Sequence, residues 1–301
     1  MELWVIITIV AAFFQNIRSS LQKFLKGQLS TTGATFVRFL FGLPFAYLYM
    51  VIFFNQSGDE FPIIGEGFFF WASIASLAQI IATVCLLMTF SYRNFAVGTA
   101  YSRTEPAQTA LFALILFGEQ LGIGGILAIA VSITGVLLIS VARTDITART
   151  IATSIASPAA LYGLASGTLF GLAAVGFRSA SLAVEHDLAF MQGVTTLCFA
   201  ITIQTMMMLG WLLVKERDQF RKILTAWKPA LAVGFAGATA SFGWFTAFAL
   251  QQAALVKVVA QIEMLFTFAT AIFIFKEQIN RKEVIGCLLI TAGIMLLFLL
   301  G

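Results

Sequence analysis

The sequence predicts an all-α membrane protein of ten transmembrane helices, built as two inverted five-helix repeats. Three observations carry that prediction. The chain of 301 residues is 60% hydrophobic and only 11% charged, with a mean hydropathy of +0.95, against roughly 25% charged for a soluble globule. It holds ten continuous apolar stretches, each close to the roughly 20 residues that a helix needs to cross a bilayer. Strands of a membrane barrel would instead alternate over short segments. Finally, residues 96–140 reappear without a gap as residues 254–298: Ala96 recurs as Ala254, Glu105 as Glu263, Thr109 as Thr267 and Gly135 as Gly293. Asn16-Ile-Arg-Ser-Ser20 aligns in the same way with Gly176-Phe-Arg-Ser-Ala180. A duplicated unit with an odd number of spans places its second copy upside down.

The elements follow in order. Span one (2–23) opens with Met1-Glu-Leu-Trp-Val5, which lacks the basic start of a cleaved signal and so reads as a retained helix. Span two (30–54) carries Pro44, and a turn-rich loop at 55–66 leads to span three (66–88). Span four (94–117) carries Pro106, which removes a backbone hydrogen bond and bends the helix. The equivalent residue of span nine is Met264, so a bend is expected in span four and is not required in span nine. Span five (121–142) closes the first repeat, 1–142, and a polar linker at 143–157 leads to the second, 158–301. Span six (158–180) bears Gly163, Gly167 and Gly171 every four residues, a small-residue stripe that lets helices approach closely. Spans seven to ten follow at 188–214, 225–248, 252–275 and 280–300. The 215–228 stretch reads as a charged loop with a short interfacial helix carrying Phe220 and Trp227. Cys85, Cys198 and Cys287 fall within spans and read as small apolar residues.

Charge placement gives an orientation. Thirteen of eighteen Lys and Arg lie on one set of alternate loops, among them Lys23, Lys26, Arg93, Arg143, Arg149, Lys215, Arg217, Arg221 and Lys222. The opposite loops carry Asp59, Glu60, Glu66, Glu119, Glu185 and Asp187. By the positive-inside rule the basic loops are cytoplasmic and both termini lie outside. A net charge of +4 distributed in this way points to a membrane, not to nucleic acid.

Enzyme signatures are missing from the sequence. There is no His-Glu-x-x-His, no Cys-x-x-Cys and no phosphate-binding Gly-x-x-x-x-Gly-Lys, so neither a metal, a cofactor nor ATP hydrolysis is expected. The single histidine, His186, falls in a short loop and reads as solvated. Charges inside the spans are more informative. Glu105 and Glu263 each lie eleven residues into their helix, about 16 Å at 1.5 Å per residue, which is the middle of a hydrocarbon core about 30 Å thick. A charge there costs roughly 2.5–3.5 kcal/mol on insertion scales, which makes it a functional candidate. The competing reading is that each acid is tied to an in-membrane cation such as Arg38 or Arg103 and staples helices. Lys257 either reaches to the interface or clamps a carboxylate, and Arg18 and Arg178 read as interfacial anchors. Tyr101 and Glu105 share a helical face with Gln108 and Phe112 in the expected span four. Asn16 and Gln79 are polar groups that lipid cannot satisfy, and Tyr101 and Trp244 place an aromatic ring with a polar handle deep in a span. The candidate binding set is therefore Tyr101, Glu105, Lys257, Glu263, Trp244, Gln79 and Asn16. Inverted repeats with buried polar groups are the usual build of secondary transporters.

The tail of each half, Phe117-Gly-Glu-Gln120 with Gly135 and Phe275-Lys-Glu-Gln278 with Gly293, resembles the EamA domain. Two such domains are similar to the drug/metabolite transporter superfamily, and within it to the YddG-type exporters of aromatic amino acids. That resemblance implies spans one, three, four, six, eight and nine around a central cavity, alternating access without ATP, and an inner-membrane location. It implies a small-molecule substrate, an amino acid with an aromatic or apolar side chain, carried by a chain that can act as a monomer. A multidrug or other metabolite exporter, a passive channel and an intramembrane enzyme are the alternative readings.

Overall fold

A backbone surrounded by lipid must satisfy its hydrogen bonds within its own segment, and the apolar stretches accordingly fold as helices. The computed structural model describes residues 2–58, 61–89, 101–141, 157–273 and 281–300. The linker through residue 156, the first residues expected in span four (94–100) and Lys276-Glu-Gln278 of the second motif lie outside them. The helices are α1 (Leu3–Leu25), α2 (Thr31–Leu40), α3 (Leu43–Gln56), α4 (Phe68–Thr89), α5 (Glu105–Phe117), α6 (Ile123–Val141) and α7 (Pro158–Leu182). They continue as α8 (Ala189–Lys215), α9 (Gln219–Thr225), α10 (Trp227–Leu250), α11 (Ala253–Ala260), α12 (Ile262–Phe273) and α13 (Arg281–Leu300). Among the described residues six segments are long and apolar enough to cross a membrane: Leu3–Gln22, Thr31–Gln56, Phe68–Thr89, Pro158–Leu182, Ala189–Lys215 and Trp227–Leu250. Glu105–Phe117, Ile123–Leu138 and Val284–Leu300 are apolar but shorter.

The chain divides into two compact units, and each draws on both sequence halves: Met1–Ile80 with Gly176–Gln251, and Ile81–Val175 with Gln252–Gly301. In unit one, α10 packs along α1 and α8, and α3 lies on α8. Phe36, Phe39, Phe68, Phe177 and Phe245 are fully buried, and the rings of Phe177 and Phe245 lie 4.2 Å apart. Span two breaks into α2 and α3 at Phe41-Gly42. The missing side chain of Gly42 lets this turn sit on α10, for a Cβ there would stand 3.1 Å from the Gly234 carbonyl oxygen.

The two ends of unit one are tied differently. At one end Ser30 caps α2 by accepting from the Gly33 N–H at 3.0 Å. Glu216, just past α8, accepts from Ser30 Oγ at 2.5 Å and Thr32 Oγ1 at 2.6 Å, and Gln219 Oε1 accepts from the Ser30 N–H. At the other end, 27 residues of α8 away, two short strands pair antiparallel: β1 (Ile63–Ile64) and β2 (Val184–Glu185), with Ile63 opposite Glu185. His186 beside β2 accepts from the Leu188 N–H through Nδ1, so it helps start α8. The expected interfacial helix exists as α9, but Phe220 packs edge-on against Phe36 and Trp227 opens α10 instead.

In unit two, α6 and α13 form the most extensive packing. Their repeat-equivalent glycines make it possible. A Cβ on Gly135 would lie 2.6 Å from the Gly286 carbonyl oxygen, and one on Gly293 would strike Ser132. Val136, Met264 and Ile290 form the buried cluster beside this contact. Two glycines of the α7 stripe make close approaches: a Cβ on Gly167 would stand 3.0 Å from the Ser102 carbonyl oxygen, and one on Gly171 3.1 Å from the Thr109 amide nitrogen, both tighter than van der Waals contact. Ser166 Oγ donates to the Ala82 carbonyl at 3.0 Å and fixes α7 to the end of α4.

Candidate functional site

Unit two brings four of the intramembrane charges together, and it does so at two helix breaks. Residues 101–102 are helical, 103–104 form a turn, and α5 starts at Glu105 with Pro106 in its first turn. Proline lacks an N–H and its ring displaces the carbonyl four residues back, which releases the Ser102 carbonyl to lie against Gly167. Thr104 closes the turn by donating through Oγ1 to the Tyr101 carbonyl at 2.7 Å, and Gln108 Nε2 donates to Thr104 Oγ1 at 2.7 Å. The bend expected in span four is present, and span nine, where none was required, has one as well. Span nine is also interrupted, at Gln261 between α11 and α12, with Gln261 N–H on Val258 and Met264 N–H on Gln261. These bonds reach back three residues in place of four, so the helix tightens there without proline.

Each break puts a glutamate in the first turn of the following helix, where the helix dipole favours negative charge. The two acids are then paired crosswise. Lys257 Nζ of α11 stands 2.7 Å from Glu105 Oε1, and Arg103 Nη1 stands 3.9 Å from Glu263 Oε2. Glu263 is 8% exposed and Glu105 half-buried. A carboxylate with little exposure is tolerated because a cation of the other sequence half neutralises it. Of the two readings for Lys257, the structure places its ammonium on Glu105. Arg103 does tie an acid, as the staple reading held for one of the pairs. For Arg38, which belongs to unit one, the partner seen among the described residues is Ser241. Tyr101 lies on the turn before the break, so it does not continue the face of Glu105, Gln108 and Phe112 that an unbroken helix would have given.

The remaining candidates belong to unit one. Trp244 on α10 is 5% exposed and donates from Nε1 to Gln15 Oε1 at 3.0 Å, with its ring stacked near Phe248. Its polar atom is therefore engaged by Gln15, and only the ring remains for other contacts. Gln79 accepts from Gln204 Nε2 at 2.8 Å, so two polar groups satisfy one another across α4 and α8. Asn16 is half-buried on α1, next to Gln15. Arg178 donates to the carbonyls of Phe248 and Gln251, at 2.5 and 2.6 Å, and so caps the C-terminus of α10. Among the described residues no group of three or more His, Cys, Asp or Glu could hold a metal ion. One residue of the site was missed in the sequence, Thr104, whose hydroxyl closes the turn, and Gln15 was read only as an in-span polar group in need of a partner, not as the acceptor of Trp244. A threonine directly before Glu-Pro was a readable helix-start signal. The Gln15 contact, 229 residues distant, had none.

The model of the EamA-like transporter family matches the chain twice, over residues 2–141 and 157–299. The chain belongs to the EamA-like transporter family. Its two matches are the two EamA repeats, and members of the family are membrane transporters of small metabolites, not enzymes. A solved crystal structure is similar to this EamA protein with a TM-score of 0.71 at 13% identity, over 97% of this chain and 94% of that chain. At that identity the likeness shows the fold alone. No curated protein matches the chain.

Proposed function

We propose that this EamA protein is a secondary transporter that exports aromatic or apolar amino acids by alternating access. In this reading ten spans form two inverted five-helix repeats, 1–142 and 158–301, with 143–157 as a cytoplasmic linker and both termini outside an inner membrane. The observation that carries it is the crossed pair Lys257–Glu105 and Arg103–Glu263 at two mid-span helix breaks. Broken helices with polar groups at mid-depth are how secondary transporters meet a charged substrate. A zwitterion has two charged ends to desolvate, and each needs a placed partner. Glu105 and Glu263 are acceptors for the ammonium end, each releasing its cation as the substrate takes its place. Such an exchange conserves charge inside the membrane, so it costs less than burying the substrate beside unpaired groups.

The test is counterflow of a labelled amino-acid panel in proteoliposomes containing the full chain. Saturable exchange that favours phenylalanine, tyrosine and leucine over acidic and basic amino acids is expected. Flux that rises linearly with concentration would mark a channel and overturn the carrier reading.

A further inference from the structure

Residues 215–228, from the end of α8 to the first turn of α10, carry five cations against two acids. Both acids are engaged. Asp218 Oδ2 stands 2.8 Å from Lys222 Nζ, and Glu216 is turned to the hydroxyls of Ser30 and Thr32. Lys215, Arg217, Arg221 and Lys228 are exposed, so the stretch presents a surplus of positive charge to its surroundings.

The short helix at its centre is seated on unit one. Ile223 of α9 is buried, Phe220 packs edge-on against Phe36, and Gln219 Oε1 accepts from the Ser30 N–H at 2.9 Å. That seating leaves Arg221, Lys222 and Leu224 on the open face. Leu224 is 71% exposed, and Val214, just before Lys215, is 73% exposed. Trp211, one turn before Lys215, and Trp227 are exposed as well, and Lys228 Nζ lies 5.8 Å from the centroid of the Trp227 ring.

Cations alone would suit any polyanion. Large apolar side chains standing open among them do not, because a nucleic acid or an acidic peptide would leave them in water. The headgroup boundary of a bilayer accepts both. Tryptophan and aliphatic side chains enter the acyl edge there, while the long stems of lysine and arginine reach the phosphates. Basic clusters of about four to eight residues beside a membrane helix attract anionic lipid in this way, and a guanidinium fork matches phosphate oxygens.

We infer that residues 215–228 form a docking surface for the phosphate headgroups of anionic phospholipids. Arg221 offers its fork to a phosphate, Lys215 and Lys228 add charge from α8 and α10, and Leu224 and Trp227 enter the acyl edge. A headgroup that holds α9 also holds the start of α2, which is bonded to Gln219, so occupancy is read as stability. The surface is independent of which solute the protein carries.

Thermal melting of the purified full chain in detergent at low salt tests this with phosphatidylglycerol, phosphatidylcholine of the same acyl chains, inorganic phosphate and polyglutamate. Phosphatidylglycerol should raise the melting temperature more than phosphatidylcholine, and about 1 M salt should remove the difference. Lys215→Gln, Arg221→Gln and Lys228→Gln together should weaken the apparent affinity for phosphatidylglycerol about tenfold or more and leave the phosphatidylcholine response intact. If that variant does not fold, Arg221→Gln alone serves, with a smaller weakening in the same direction. Arg281→Gln, which removes an exposed cation of unit two, should leave the affinity unchanged. Equal responses to the two lipids, or an unchanged phosphatidylglycerol affinity in the folded triple variant, overturn the surface. Equal losses in Arg221→Gln and Arg281→Gln assign the effect to net charge and overturn it too. A shift from inorganic phosphate as large as that from phosphatidylglycerol assigns the cations to a soluble anion. A shift from polyglutamate without one from phosphatidylglycerol assigns them to an acidic protein, and either result overturns lipid docking.

Discussion

Lys257 and Glu105 stand 2.7 Å apart although they come from different halves of a duplicated sequence. Arg103 answers for the other half by pairing with Glu263. Each acid is thus neutralised from outside its own repeat, and removal of one member strands a charge in an apolar setting.

Glu105→Gln should therefore destabilise the protein more than Glu105→Gln combined with Lys257→Gln. The single change takes the Glu105 carboxylate away from the Lys257 ammonium, at up to about 3 kcal/mol, the lower end for buried pairs because both side chains keep some exposure. Thermal melting of both variants in detergent measures the difference. Both should lose counterflow, as should Glu263→Gln, if the carboxylates meet substrate. A double variant as unstable as the single one would mean that the pair does not couple.

Gly293→Ala should lower stability by about 1–3 kcal/mol, the usual cost of forcing extra volume into a packed contact. The added methyl meets Ser132 on α6, so Ser132→Gly in the same chain should recover part of the loss. Denaturation by increasing temperature, followed by size-exclusion chromatography, reads both. An unaltered midpoint for Gly293→Ala would show that α6 and α13 separate readily at this point.

Trp244→Ala should weaken aromatic substrates more than small aliphatic ones, by up to roughly tenfold, since a ring–ring contact contributes roughly 0.5–1.5 kcal/mol beyond area burial. Gln15→Leu removes the indole's partner but keeps its ring, and should reduce stability without changing the aromatic-to-aliphatic ratio. Counterflow with phenylalanine and alanine compares the two. Equal losses for both substrates with Trp244→Ala would indicate a packing defect.

Orientation is open to a labelling experiment. With Cys85, Cys198 and Cys287 replaced, a cysteine at Ser57 should react with an impermeant thiol reagent in intact cells, and one at Asp218 should not. The structure adds a constraint within unit one: Ser30 and Glu216 are bonded, so their loops share one end. The reverse labelling pattern would invert the orientation drawn from the cation distribution.

Run length made the helices readable, because an apolar stretch near 20 residues has few alternatives in lipid. The break at Glu105 was readable from Pro106, whereas the one at Gln261 has neither proline nor glycine and depends on tertiary context. The repeat located Glu105 and Glu263, but not their partners. The positions that correspond to Lys257 and Arg103 in the other half are Thr99 and Gln261, so no symmetry argument could pair them. The β1–β2 contact spans two residues on each side, too few to leave a periodic trace. Trp244 was singled out for its depth, but its bond to Gln15 depends on how α1 lies along α10.

The crossed ion pairs also bear on how a chain like this could arise by duplication. Two copies of the first half would bring Arg103 twice and a threonine where the lysine is needed. Two copies of the second would bring Lys257 twice and a glutamine in place of the arginine. Neither half could satisfy its own acid through the contacts seen here by pairing with itself. The divergence of these two cation positions commits each half to the other, and a fused gene supplies them in the one-to-one ratio that such a commitment requires.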